Sequence, residues 1–211
     1  MVICLSGWKQ SGKDSLASYL VENHDAARVA LADPLKDSVS REFNIPRWHL
    51  DDPKFKESPI LSMPVDPKDG FSRMIALFMR GEFRNAQGTS EGGDSLNGLY
   101  WTPRSLAILK GSTNRSVQSN YWTNKAFDQI DRLLKNTKLV VVTDLRYKSE
   151  MAQFKERYGQ EVVFIRINRF KESPSQDPSE RDLDQAEFDF YVDNAGTLEE
   201  AYGRIREILG L

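Results

Sequence analysis

Residues 2–23 read VICLSGWKQSGKDSLASYLVEN. The stretch opens on a short apolar run, Val2 to Ser6, and from Lys13 to Asn23 the pattern changes to helical spacing through Leu16, Tyr19 and Leu20. Between the two, Gly7-Trp8-Lys9-Gln10-Ser11-Gly12-Lys13 fits the spacing G-x-x-x-x-G-K. Strand, glycine loop and helix start, in that order, build a cradle for polyphosphate. Successive backbone N–H groups and the helix N-terminus surround the phosphates, and Lys13 reaches the outer ones. The bland alternative is a glycine turn with a solvated lysine. A chance match is expected roughly 0.05 times in a chain of this composition, before the flanking strand and helix are required.

The position after such a lysine usually carries Ser or Thr, whose hydroxyl holds Mg²⁺; here it is Asp14, followed by Ser15. A carboxylate is a good hard ligand for Mg²⁺, directly or through water, so both are candidate metal holders. Asp14 could instead act near an acceptor phosphate or serve as a first-turn acid of the helix. Far along the chain, LVVVTD (Leu139 to Asp144) is the most strand-like segment, and Asp144 ends it at the edge where ligands of open parallel sheets bind. That makes Asp144 a candidate second holder of Mg²⁺ or its water shell, against the alternative of a turn residue or helix cap. Arg146, two residues on, alternates to the same side with a fork that matches phosphate geometry.

The other segments complete an α/β pattern. Arg28 to Leu31 reads as a second strand, and Asp33 with Pro34 opens a helix to about Phe43. Ile45 to Asp69 holds five of the nine prolines and reads as extended or irregular chain. A short helix is expected at Phe71 to Met79. Asn85 to Gly98, with four glycines, is expected to be a mobile loop, with a lid, an oligomer contact and a disordered insertion all left open. Thr102 and Pro103 start a helix expected to end near Gly111. Helices at Trp122 to Lys135 and Lys148 to Tyr158 and strands at Val162 to Ile167 and Phe190 to Val192 follow. A last helix, Leu198 to Leu209, carries a capping box from Thr197 and Glu200. Strands separated by helices pair in parallel. The expected fold is α/β, a three-layer sandwich on a mainly parallel five-stranded sheet. It forms a single domain over 1–211, with an acceptor-binding insertion at about 44–136 and a lid-like segment at about 168–187.

The 211 residues balance 29 Lys+Arg against 31 Asp+Glu, which removes the bulk attraction that collects basic proteins on nucleic acid or anionic membrane. Neither a nucleic acid polymer nor a membrane is an expected partner. No apolar run approaches the roughly 18 residues of a membrane span, and no secretory signal pattern opens the chain, so a cytoplasmic protein is expected. With Cys4 alone and only His24 and His49, an intramolecular disulfide is impossible, no Cys/His zinc site is convincing, and redox chemistry and a His-based triad drop well down the list. NKAFD, Asn124 to Asp128, has the wrong spacing for the N-K-x-D segment by which a GTPase reads its base.

GWKQSGKDS (7–15), LADPLKD (31–37), DDPKFKE (51–57), TPRSLAILKGS (102–112) followed by Trp122, VVVTDLRYKSE (140–150) and DNAGTLEE (193–200) stand in one order over most of the chain. Together they resemble the bacteriophage deoxynucleoside monophosphate kinase family. The resemblance implies a P-loop nucleoside monophosphate kinase-like fold, ATP as phosphoryl donor, Mg²⁺, a deoxynucleoside monophosphate as acceptor and, for a phage-encoded protein, the host cytoplasm. It implies donor-binding roles for Gly7, Lys9, Ser11, Gly12, Lys13, Asp14 and Ser15, and acceptor-binding roles for Asp33, Lys36, Arg104, Gly111, Ser112, Trp122, Asp144, Arg146 and Glu150. Lys13, Asp14, Arg104 and Arg146 form the expected catalytic set, and Asp14, Ser15 and Asp144 the expected metal set.

Physical chemistry meets that pattern in part. Arg104 near a helix start could clamp a phosphate and Trp122 could offer a flat face to a base, against the alternatives of a solvated arginine and a core tryptophan. Arg166, Arg169 and Arg181 flank the loop after the fourth strand, and at least one is expected over the donor phosphates, Arg169 being the one assigned; the alternative is ordinary surface charge. Ser105, Ile108, Ser112 and Asp177 stand where the family carries lysine, glutamine, threonine and histidine, which touches the choice of acceptor more than the reaction. An acceptor phosphate is ionised near neutral pH, so a strong general base is not needed. Two other readings stay open: another P-loop small-molecule kinase, of the dephospho-coenzyme A or phosphomevalonate type, and a nucleotide-binding module without catalysis. A homodimer is left open as well.

Overall fold

A computed structural model describes residues 1–66, 68–69, 82–89, 97–171 and 181–211. In chain order its elements are β1 (Val2–Ser6), α1 (Lys13–His24), β2 (Ala26–Val29), α2 (Asp33–Phe43), α3 (Arg47–Asp51), β3 (Arg84–Asn85), β4 (Leu99–Tyr100), α4 (Pro103–Val117), α5 (Tyr121–Leu133), β5 (Leu139–Val142), α6 (Lys148–Tyr158), β6 (Val162–Asn168), β7 (Phe190–Asp193) and α7 (Leu198–Leu209). They belong to two compact units, the first of Met1–Ala32 with Thr123–Leu211, the second of Asp33–Trp122. Residues 44–122 of the expected insertion fall in the second unit and residues 123–136 in the first. The helix expected at Phe71 to Met79 lies outside the described residues, as do 90–96 of the expected glycine loop and 172–180 of the lid-like segment.

In the first unit all five strands run parallel in the order β2-β5-β1-β6-β7. Alternate residues of the strands divide the core. Val2, Cys4, Val140 and Val142 face Ala126, Phe127 and Ile130 of α5 and Phe154 of α6. Ile3, Leu5, Val141 and Ile165 face Leu16, Ala17 and Leu20 of α1 and Ala201 and Ile205 of α7. Helices thus cover both faces, which is why the strands read as continuous apolar runs. The capping box of α7 is formed, with Glu200 N donating to Thr197 Oγ1 at 3.3 Å and Thr197 N to Glu200 Oε2 at 2.9 Å.

The second strand lies two residues earlier than Arg28 to Leu31. Ala26–Val29 pairs with Leu139–Val142, and the next free N–H groups, of Leu31 and Ala32, donate to the Asp144 carboxylate, so the ladder ends at Val29. In the second unit, Val39, Ile45, Leu50, Val65, Phe83, Leu99, Trp101 and Leu106 form a core of their own, and β3 and β4 pair antiparallel. Helix α4 runs six residues past Gly111. There the missing side chain serves close packing, since a Cβ would lie 3.1 Å from Leu35 Cδ2, and does not stop the helix. The proline-rich stretch contains one turn of helix, α3, entered through Pro46 and tied by the Arg47–Asp51 ion pair one turn apart. Among the described residues no helix is long and apolar enough to cross a membrane.

Candidate active site

The loop between β1 and α1 needs its glycines. Gly7 has φ +151° and Gly12 φ +99°. A Cβ on Gly7 would sit 2.6 Å from both Ile167 O and Ser11 Oγ, and one on Gly12 would sit 2.2 Å from Asn194 Nδ2. The same neighbours hold the loop, because Asn194 Nδ2 donates to Ser11 O at 2.8 Å and Ser11 N donates to Trp8 O at 3.1 Å. Lys13 folds back over the turn, its Nζ donating to Gly7 O (2.7 Å), Trp8 O (2.8 Å) and Ser11 Oγ (3.4 Å). Of Arg166 within β6 and Arg169 and Arg181 after it, Arg169 reaches the loop, donating to Gln10 O at 3.1 Å. Arg166 is buried and bonds Asp184 at 2.7 Å and Ser6 Oγ at 3.1 Å, while Arg181 stands 3.7 Å from Asp184. Lys9 is exposed and Ser15 half-buried on the first turn of α1. The Asp14 side chain is 81% exposed and lies 3.3 Å from Arg28.

Cys4 pairs with Val142, so Asp144, two residues beyond β5, stands at the carboxyl edge from which the loop springs. Its Oδ1 accepts from Leu31 N at 2.6 Å and its Oδ2 from Ala32 N at 3.1 Å. Glu150 Oε2 accepts from the backbone N–H groups of Arg146 (2.9 Å) and Tyr147 (3.0 Å), which fixes the segment between strand and helix and leaves the Arg146 side chain exposed. Burial pushes the Glu150 carboxyl up to about 7, aided by Asp144 and opposed by the two N–H bonds and Arg146. Burial, with Glu150 and Asp144 behind it, likewise keeps the Cys4 thiol protonated well above its usual range.

A pH signature follows for stability. The Glu150 carboxyl titrates near 4.5 in the unfolded chain and near 7 in the folded one, so the folded state holds the extra proton between those values. Its stabilising contribution is fully present below about pH 4.5 and is lost as pH rises to about 7, on the order of 3 kcal/mol in all. Urea unfolding at pH 5 and pH 8 should show Glu150→Gln losing less stability between the two than the parent protein. Equal losses would refute the assignment.

The second unit holds the other candidates. Asp33 and Lys36 at the start of α2 join an ionic cluster centred on Arg47, whose guanidinium meets Asp33 at 2.7 Å, Asp37 at 2.8 Å and Asp51, while Lys36 meets Asp51 at 2.9 Å. Burial pushes Asp51 up, but Arg47 and Lys36 outweigh it and hold the carboxyl below its usual range. Arg104 donates to Glu82 at 3.0 Å and lies 3.9 Å from Glu57, which also takes Arg84 at 2.9 Å. Trp122 is 7% exposed and donates its indole N–H to Gly111 O at 3.3 Å. Exposed Ser112 returns its hydroxyl to Leu109 O, and buried Ser105 completes the cap of α4 with Thr102. Asp177 lies outside the described residues. Among the described residues no group of three His, Cys, Asp or Glu is placed to hold a metal ion.

Reading the sequence missed Arg47, Asp184, Trp8 and Asn194. Arg47 carried a signal in its spacing from Asp51 after Pro46, and Asn194 lies inside the DNAGTLEE segment. Asp184 carried none, since its partners Arg166 and Trp8 are 18 and 176 residues away.

A glycine cradle between the central strand of a parallel sheet and its helix, with a carboxylate at the end of the neighbouring strand, defines a protein of the P-loop fold. The profile of the deoxynucleotide monophosphate kinase family matches residues 1–61 and 113–205, and the chain belongs to that family of kinases. It is 23% identical over 238 residues to the deoxynucleotide monophosphate kinase of Enterobacteria phage T4, covering 99% of this chain and 98% of that protein. To the enzyme of the same name from Escherichia phage RB69 it is 24% identical over 246 residues, covering 99% of each. Among solved structures it is similar to TT1252 from Thermus thermophilus (13% identity, TM-score 0.46, 100% of this chain and 96% of that one). It is also similar to a shikimate kinase from Bacteroides thetaiotaomicron (11% identity, TM-score 0.40, 100% and 99%). Arg104, Gly111 and Ser112 lie outside the residues that the profile matches.

Proposed function

We propose that the protein transfers the γ-phosphoryl group of ATP to the phosphate of a deoxynucleoside monophosphate, giving ADP and the deoxynucleoside diphosphate. The observation that carries this reading is the Lys13 ammonium held against the Gly7 and Trp8 carbonyls of a glycine cradle, in a chain of this family. An acceptor phosphate oxygen forms the new P–O bond in line as the bond to the β,γ-bridging oxygen breaks, and the leaving oxygen stays with ADP. The attacking oxygen is already ionised near pH 7, so positioning and neutralisation of charge do the work. Lys13 and Arg169 serve the donor phosphates, with Gly7, Lys9, Ser11 and Gly12 shaping the cradle. Arg146 serves the transferring group, and Arg104 the acceptor phosphate, with Asp33, Lys36, Gly111, Ser112, Trp122 and Glu150 lining or supporting the acceptor.

The donor set suits Mg²⁺. That ion takes one or two carboxylates and completes its shell with waters and substrate phosphates, and does not need a protein cage. Asp14 and Ser15 on the first turn of α1 would hold it, with Asp144 behind its water shell; when bound, it neutralises charge on the phosphates. The exposed Asp14–Arg28 pair is weak enough not to compete.

The test is coupled ADP release from Mg-ATP with dAMP, dGMP, dCMP, dTMP and their ribose counterparts. At least one deoxynucleotide should turn over at roughly 1–100 s⁻¹. Silence with every nucleotide, while ATP still binds, rejects the reading and turns attention to coenzyme precursors and then to a binding-only role.

A further inference from the structure

Outside the expected site residues of the first unit, the Asp184 carboxylate joins two distant parts of the chain. Its Oδ1 accepts from Trp8 Nε1 at 2.7 Å and from Arg166 Nη2 at 2.7 Å. The Arg166 guanidinium is sandwiched, 5.6 Å from the Trp8 ring centre and 5.7 Å from that of Phe188, and its other arm donates to Ser6 Oγ at 3.1 Å. One carboxylate oxygen therefore fixes a side chain in the glycine loop, the strand β6 that neighbours it and, through Arg166, the residue where β1 ends.

Trp8 matters through its backbone. Its carbonyl accepts from both Ser11 N (3.1 Å) and Lys13 Nζ (2.8 Å), so it ties the turn of the cradle to the ammonium that the donor reading aims at phosphate. Holding the indole restrains the Trp8 backbone and with it the carbonyl that both donors share. We propose that Asp184 is a positioning residue for the phosphoryl donor, acting through the Trp8 indole to set the Trp8 carbonyl and hence the Ser11 amide and the Lys13 ammonium. This rests on the reading of the loop as the ATP site and extends it to a residue some 170 positions away in the chain. The anchor is itself tied down: Asp184 N donates to Arg181 O at 3.0 Å, and Lys148 N donates to the nearby Asp182 at 2.7 Å.

Direct titration of Mg-ATP into the whole protein by calorimetry tests it, beside thermal unfolding of the same samples. Asp184→Ala and Trp8→Phe should each weaken ATP about tenfold, the scale of one lost hydrogen bond to a charged group. The double variant should be hardly weaker than either single one, because both remove the same link. Asp184→Asn keeps an oxygen for the indole N–H and loses only the charge opposite Arg166. It should melt lower yet bind ATP within about threefold of the parent. A merely structural role predicts the opposite split, with lowered melting in Asp184→Ala and unchanged ATP affinity, and that result, or additive losses in the double variant, overturns the proposal. Should Asp184→Ala fail to fold, Trp8→Phe decides alone, since it leaves the Arg166–Asp184 pair in place; unchanged affinity there overturns the proposal. A parent protein that binds no ATP overturns the donor reading itself, a result distinct from variants that bind as the parent does.

Discussion

Lys13→Ala lowers kcat/KM for phosphoryl transfer about 10³-fold while moving the melting temperature by no more than a few degrees. The size follows from where the charge sits. Preorganised donors aimed at developing charge are each worth roughly 10²–10³ in rate, and the Lys13 ammonium is held against the Gly7 and Trp8 carbonyls of the glycine loop. Folding depends on it much less. Truncation removes three hydrogen bonds to loop acceptors, but the Ser11 N to Trp8 O and Asn194 to Ser11 O bonds, which shape the turn, do not involve the ammonium. Lys13→Arg should recover little, because the planar fork cannot replace a compact ammonium that touches two adjacent carbonyls at 2.7 and 2.8 Å. The check is the same coupled assay that finds the acceptor, run at saturating and limiting ATP. Retention of activity within tenfold in the alanine variant would remove the loop from the mechanism.

The loop was legible because everything it needs is local. Glycines at seven and twelve, a lysine next, a strand before and a helix after are all read within 23 residues, and β1 and α1 fall where the apolar pattern changes period. The order of strands and the helices covering them follow from the same alternation. What was not legible depends on partners far along the chain. The second strand shifted because the Asp144 carboxylate, more than 110 residues on, takes the N–H groups of Leu31 and Ala32. Gly111 reads locally as a helix end, yet Leu35 packs where a side chain would be. Trp122 reads in its motif as a base platform, with a core residue as the alternative, and its burial against Gly111 shows how the indole is used in the fold. Arg166 reads as one of three arginines beside a lid, or as a surface charge, and the structure makes it the buried centre of an aromatic and ionic brace.

Arg166→Met destabilises the first unit by about 3 kcal/mol, the largest stability effect expected of any single change here. The Arg166 side chain is 9% exposed and its removal strands Asp184, whose side chain is only 23% exposed, with Trp8 Nε1 as its near donor and Arg181 3.7 Å away. Methionine fills the space between Trp8 and Phe188 well, so the cost comes from the unpaired carboxylate and not from a cavity. For a chain of this length the melting transition should fall by roughly 6–12 °C. Adding Asp184→Leu to Arg166→Met removes the stranded charge, and most of the lost stability should return, as it does when both members of a buried pair become apolar. ATP affinity should not return with it, because leucine offers Trp8 no acceptor. Melting and donor affinity therefore part company in the double variant. If both recover together, the brace is only a support for the fold; if stability stays low, the cost of Arg166→Met lies in packing and not in the charge it leaves behind.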